Sequence, residues 1–169
     1  MKTLLTPLTR GEIASLQEGT WVSLSGVVYT ARDAAHKRLC ELLDGGGLLP
    51  FPLEGSAIFY AGPCPTPSAK QGSPVIGPVG PTTSGRMDGY APRLMREAFH
   101  VTIGKGPRSQ EVAAAIRRYG CAYLSAIGGA AALTARCVEK VEPVAFEDLG
   151  TEAVVALTVR DLPLIVMNV

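Results

Sequence analysis

The sequence predicts a domain of mixed helices and strands, an α/β or α+β fold, and three observations predict it. Apolar residues make up 47% of the chain and charged residues 18%, a balance that supports a buried core and argues against disorder. Short runs rich in β-branched and aromatic residues alternate with stretches of helical apolar spacing. Glycines and prolines punctuate the boundaries. At 169 residues the chain suits one domain, residues 1–169, and is short for two.

Residues 1–20 read as a lead-in segment. Trp21–Tyr29 (WVSLSGVVY) has strand composition and partial alternation, and Asp33–Leu43 places Ala34, Ala35, Leu39, Leu42 and Leu43 at helical spacing before Gly45-Gly46-Gly47 ends it. Ala57–Tyr60 is a short apolar strand running into Gly62-Pro63. Residues 62–92 are dense in glycine and proline, but their varied composition is unlike a linker and marks an irregular segment that is functional or else disordered. A helix over Pro92–Ala98 and a strand over His100–Ile103 follow. The helix from Ser109 to Tyr119 has Ser109 at the N-cap, Glu111 in the first turn, an apolar face of Val112, Ala115, Ile116 and Tyr119, and Gly120 at the C-cap. Cys121–Ile127 reads as a strand, Ala130–Ala135 as a short helix, and Glu139–Phe146, Ala153–Val159 and Leu164–Val169 as three late strands.

Several function classes are disfavoured. The formal net charge of +1 gives no long-range attraction to nucleic acid or anionic membrane, so an anion site must be local. Met1–Glu12 lacks the pattern of an export signal, and no apolar run reaches about 18 residues, so a cytoplasmic protein without a membrane span is expected. The cysteines Cys40, Cys64, Cys121 and Cys137 show no CxxC spacing and are expected to be reduced and buried or incidental. GxxxxGK[ST], GxGxxG after a strand, HExxH and GxSxG are absent, as are basic stripes interleaved with aromatics.

Three strings can carry chemistry. Gly80-Pro81-Thr82-Thr83-Ser84-Gly85-Arg86-Met87-Asp88 sets three hydroxyls between glycines, with an arginine after them. Such a turn can form an anion nest of backbone N–H groups, and Arg86 offers a planar fork that fits a carboxylate. A hydroxyl-capped turn with a surface arginine accounts for the string equally well. Gly104-Lys105-Gly106 ends a strand and projects a lysine from a tight turn, into a cleft or simply into solvent. Thr30-Ala31-Arg32-Asp33-Ala34-Ala35-His36 spans a strand-to-helix junction, where the helix N-terminus favours an anion and Arg32 adds a full charge. Asp33 as an N-cap and His36 as a satisfied histidine are the plain readings there. Cations gathered without partners repel one another, so together the set implies an anion, and a small dicarboxylate would suit it.

TARDAAHKRL (Thr30–Leu39), IFYAGPCP (Ile58–Pro65), GPTTSGRMDGYAP (Gly80–Pro92), IGKG (Ile103–Gly106) and FEDLGTEAVVALTVRDLPLIV (Phe146–Val166) resemble the C-terminal, or β, region of class I fumarases and L-tartrate dehydratases, in order along nearly the whole chain. The resemblance implies an α/β fold of swivelling β/β/α type with a mixed sheet, over residues 1–169. It also implies a partner α chain, or a fused N-terminal domain, that holds a [4Fe–4S] cluster through its own cysteines, with no metal ligand here. The substrate site lies between the two parts, and an assembly of two α and two β chains is expected.

By the same resemblance Arg32, Thr82, Arg86 and Lys105 meet the substrate dicarboxylate, with Thr83 beside them, and Thr82 is a candidate for the proton-transfer step. A threonine hydroxyl is a poor base unless activated. The expected reaction is reversible dehydration of a 2-hydroxy dicarboxylate, such as malate to fumarate, by an enzyme active only with its α partner. L-Tartrate dehydration is the alternative within the enzyme class, and a non-catalytic dicarboxylate-binding module is the alternative outside it.

Overall fold

The computed structural model describes residues 1–63, 77–127, 129 and 131–169. Cys64 and the middle of the glycine- and proline-rich segment lie outside the described residues. Among the described residues there are seven strands: β1 (Lys2–Leu5), β2 (Trp21–Thr30), β3 (Ala57–Phe59), β4 (Val101–Gly104), β5 (Ala122–Ala126), β6 (Val138–Ala145) and β7 (Val154–Asn168). Five helices join them: α1 (Arg10–Ala14), α2 (Asp33–Asp44), α3 (Ala91–Glu97), α4 (Gln110–Tyr119) and α5 (Ala131–Arg136). Among the described residues no helix is long and apolar enough to cross a membrane.

The sheet is mixed. β1, β2, β3, β4 and β5 run parallel in that order, and β7 lies antiparallel to β5, β6 and β2. Because β7 pairs with β2 as well as β5, strands β2, β3, β4, β5 and β7 close into a ring. Alternation along each strand separates an inner apolar cluster from two outer ones. Leu24, Phe59, Val101, Leu124 and Leu164 share the cluster that fills the ring. Ile58 and Tyr60 face outward against Ala35 and Leu39 of α2 and Leu94 of α3, and Tyr123 packs with α3 and α4.

Most expected elements are present, with three corrections. The lead-in holds β1 and α1, each too short to show periodicity. The signal for α1 is a capping box: Thr9 Oγ1 accepts from the Glu12 N–H at 3.2 Å, and the Glu12 carboxylate accepts from the Thr9 N–H at 2.8 Å. The last two expected strands are one, β7. Asp161, at φ 51°, sits opposite a register shift between Leu24 and Gly26, and its N–H donates to Ser25 Oγ at 3.0 Å. A bulge thus carries the chain through the polar Arg160-Asp161 pair without leaving the sheet. The N-cap of α2 is Arg32, and Asp33 is instead the first helical residue.

Candidate active site

Three parallel strands end level with one another. Thr30 of β2 pairs with Phe59 of β3, and Phe59 pairs with Ile103 of β4. Each chain then leaves the sheet with one of the quoted strings: Ala31-Arg32 before α2, Tyr60-Ala61 after β3, and Lys105 after β4. The carboxyl ends of neighbouring parallel strands are where α/β folds commonly present ligand groups.

The hydroxyl-rich string is laid across these ends. Pro81 bridges Ala61, and Thr82 N–H donates to the Tyr60 carbonyl at 2.7 Å. Lys105 N–H donates to the Thr82 carbonyl at 3.2 Å, and Ser84 N–H donates to the Lys105 carbonyl at 2.8 Å. The chain then makes a single 3-10 turn, Ser84–Met87, and Arg86 Nε donates to Asp33 Oδ1 at 3.0 Å. That bond joins the string to the start of α2. Gly104 permits the approach, since a Cβ there would overlap the Ser84 hydroxyl and lie 2.9 Å from Tyr60 Cδ2.

Arg32 packs over Gly62, where a Cβ would lie 3.2 Å from Arg32 Nη1 and 2.6 Å from the Thr151 carbonyl. Its Nε lies 3.4 Å from Glu152 Oε1, an ion contact and not a hydrogen bond. So Arg32, Thr82, Thr83, Arg86 and Lys105 all occupy one edge. Arg86, Thr83 and Lys105 are exposed, while Arg32 and Thr82 are half-buried.

The geometry departs from the sequence expectations in three ways. The N–H groups of Thr82, Ser84 and Arg86 are committed to protein carbonyls, and neither Gly80 nor Gly85 takes a positive φ, so these amides form no anion nest. The turn is not hydroxyl-capped either, because the N-cap Thr83 makes no side-chain bond. Nor are the cations unpartnered: Arg86 pairs with Asp33 and Arg32 contacts Glu152. Among the described residues named here, three positive and two negative side chains leave one net positive charge on the edge. Two buried atoms there, Arg32 Nε and Asp33 Oδ2, have no hydrogen-bond partner among the described residues, the condition a bound ligand or water relieves.

Sequence reading missed the support beneath this edge. Arg108 has a fully buried side chain, and its Nε donates to Asp88 Oδ1 at 2.7 Å. Its Nη1 donates to Tyr60 Oη at 3.1 Å and Thr102 Oγ1 at 3.3 Å. Burial opposes its charge, but Tyr60 and Asp88 outweigh that and push its pKa up. His36 takes the plain role expected of it. It is buried, its Nδ1 lies 2.9 Å from the Arg32 carbonyl, its ring meets Tyr60 edge-on, and burial pushes its pKa down to about 4. Arg108 lies in a plain helix-leading segment, so only its position two residues after Gly106 hinted at a role.

A cluster or metal finds no ligand set among the described residues, since no three His, Cys, Asp or Glu side chains gather. Cys40 is in α2, Cys121 precedes β5 and Cys137 lies between α5 and β6, and burial raises each thiol, Cys121 to about 11. Protonated thiols are poor ligands for soft metals.

A family model described as Fumarase C-terminus matches residues 2–168. "Fumarate hydratase 2" of Leishmania major is 39% identical over 91% of this chain and 27% of its own length. "Fumarate hydratase class I, anaerobic" of Escherichia coli is 38% identical over 99% of this chain and 29% of its own. "Putative L(+)-tartrate dehydratase subunit beta" of Methanocaldococcus jannaschii is 38% identical over 98% of this chain and 86% of its own. The chain thus spans less than a third of the fumarate hydratases and most of the tartrate dehydratase subunit.

Proposed function

Because this chain belongs to the fumarase C-terminus family of hydro-lyases, we propose that it is the cluster-free β part of an enzyme that reversibly dehydrates a 2-hydroxy dicarboxylate, malate to fumarate. It completes a site shared with a cluster-bearing α part, in an assembly of two α and two β chains. One observation carries the reading: Arg86 reaches Asp33 at 3.0 Å, while its own turn is hydrogen-bonded to Lys105. Motifs far apart in sequence therefore meet on one edge.

In this reading Arg32, Arg86 and Lys105 hold substrate carboxylate charge. They orient the C–H bond and stabilise the charge that builds as the proton leaves. Thr83 lines the turn, and Thr82 takes part in the proton step. The Thr82 main chain is fixed on both sides, which sets where its hydroxyl starts. The edge carries one net positive charge, so a dianion needs further positive charge from the α part. The [4Fe–4S] cluster is assigned to that part too, a reading supported by the scattered placement of Cys40, Cys121 and Cys137 among the described residues here.

The test is Arg86→Ala in the assembled enzyme. Transition-state stabilisation should fall by about 2–4 kcal/mol, roughly 30- to 1000-fold in kcat/KM. A near-normal kcat/KM overturns the assignment. The purified chain alone should show no turnover, and dicarboxylate binding by an assembly that never turns over would support a binding module instead. Tartrate is the second reading, favoured by the 86% coverage of the tartrate dehydratase subunit. Assay of the assembly with malate, fumarate, tartrate and mesaconate separates the substrates.

A further inference from the structure

Two turns carry Arg86 and Lys105, two of the three cations of the candidate site, and one buried hydroxyl joins them. Tyr123 is on β5, beside β4, with its side chain wholly buried. Its hydroxyl donates to the Gly106 carbonyl at 2.7 Å and accepts from the Ser84 hydroxyl at 2.9 Å. Gly106 follows Lys105, and Ser84 lies midway between Thr82 and Arg86. A single oxygen on the ring wall therefore ties both turns. Burial raises the pKa of this phenol, so it keeps the proton it donates.

A second link runs in parallel. The Arg108 guanidinium lies 5.1 Å from the ring centroids of both Tyr60 and Tyr123. It clamps Asp88, whose other oxygen accepts from the Ser109 N–H at 2.7 Å. Asp88 is two residues past Arg86, and Arg108 is three past Lys105, so the ion pair again joins the same two segments. A buried ion pair is weak evidence for stability, since apolar residues of similar size often hold a fold as well. Arg108 also leaves its Nη2 without a partner among the described residues. Two independent polar links between the same two turns instead match the demand of a binding site, which must hold its groups within about half an ångström.

We propose that Tyr123 and Arg108 are positioning residues, which fix the Thr82–Arg86 turn against the Lys105 turn without touching the ligand. The functional consequence rests on the site assignment above. The positioning itself does not. Removing the Tyr123 hydroxyl strands the Ser84 hydroxyl and the Gly106 carbonyl, and each then seeks another partner by shifting its turn.

The experiment uses Tyr123→Phe, which keeps the ring beneath Arg108, with Arg108→Lys as a second variant that keeps charge and loses the planar fork. Amide hydrogen exchange is read at Ser84 and Lys105, whose N–H groups bond across the two turns, and at Leu24 and Val28 in β2 as a reference. Exchange at the two turn amides should speed up about tenfold with the reference amides unchanged. In the assembled enzyme KM for the dicarboxylate should rise about tenfold, as expected for a displacement well under an ångström. Unchanged turn amides overturn the inference, as does equal acceleration in β2, which marks general loosening. Selective loosening with unaltered KM also overturns the functional half. If the turns loosen selectively but Arg86→Ala is as active as the parent, the positioning stands and the site assignment fails.

Discussion

At the residue scale, burial decides which ionisable groups do what. His36 and His100 are each pushed down to about 4 by burial, against an ordinary 6.5. A base with its folded-state pKa lowered is protonated first in the unfolded chain. Its contribution is present above the unfolded value and lost as pH falls through the window from 6.5 to about 4. Unfolding free energy should therefore drop with acidity, on the order of 3 kcal/mol per histidine by the bottom of that window. Urea titrations at pH about 7, 6 and 5 check this where carboxylates contribute little, and a flat profile contradicts it. Neither histidine suits acid–base work near neutrality.

At the element scale, the site depends on how helices and strands end. α4 starts at an N-cap, Ser109, whose hydroxyl accepts from the Val112 N–H at 3.2 Å, while its own N–H holds Asp88. Ser109→Ala keeps the second bond and loses the first, so it should cost about 1 kcal/mol of stability with kcat/KM little changed. β4 ends at Gly104, where the Ser84 hydroxyl occupies the space of a side chain. Gly104→Ala should lower stability by about 1–3 kcal/mol through overpacking. It should also raise KM, because relieving the overlap either turns the Ser84 hydroxyl away from Tyr123 or lifts the Ser84 turn. Thermal melts and steady-state kinetics on the same preparations separate the two: a variant that melts early but binds normally would break the link between Gly104 and the site.

The whole molecule is organised by β7, which runs 15 residues and pairs with three strands. Closing the ring buries one apolar cluster inside and leaves the carboxyl ends of β2, β3 and β4 open on one rim. Leu164 faces that interior and is fully buried. Leu164→Ala should cost about 2–5 kcal/mol in urea unfolding while KM stays near the parent value, because the rim is built by other elements. A raised KM in that variant would mean that ring and rim are coupled more tightly than the hydrogen bonds show.

Much of this was legible in sequence, for identifiable reasons. α4 was readable to the residue because its caps and apolar spacing agree, and α2 because Gly45-Gly46-Gly47 stops it. β1 and α1 were not, because four and five residues are too few for a period to show. β7 looks like two strands in sequence because a bulge at Asp161 resembles, in one dimension, a turn. At the site, glycine-flanked Thr82, Arg86 and Lys105 stood out, but Tyr123 and Arg108 did not, since each lies in an ordinary strand or loop context.

By itself the sequence determined which groups this protein has to offer: local patterns name the helices, and the strings around Arg32, Arg86 and Lys105 name the family. Only the tertiary structure decided how those groups combine. Pairing partners are set by distance in space, so Asp33 and Glu152 reduce the charge of the edge to a single positive unit, which no one-dimensional count can foresee. The same reason hides the bonds from Tyr123 of β5 to two turns, because a hydrogen bond between segments far apart in sequence leaves no periodic trace in the chain.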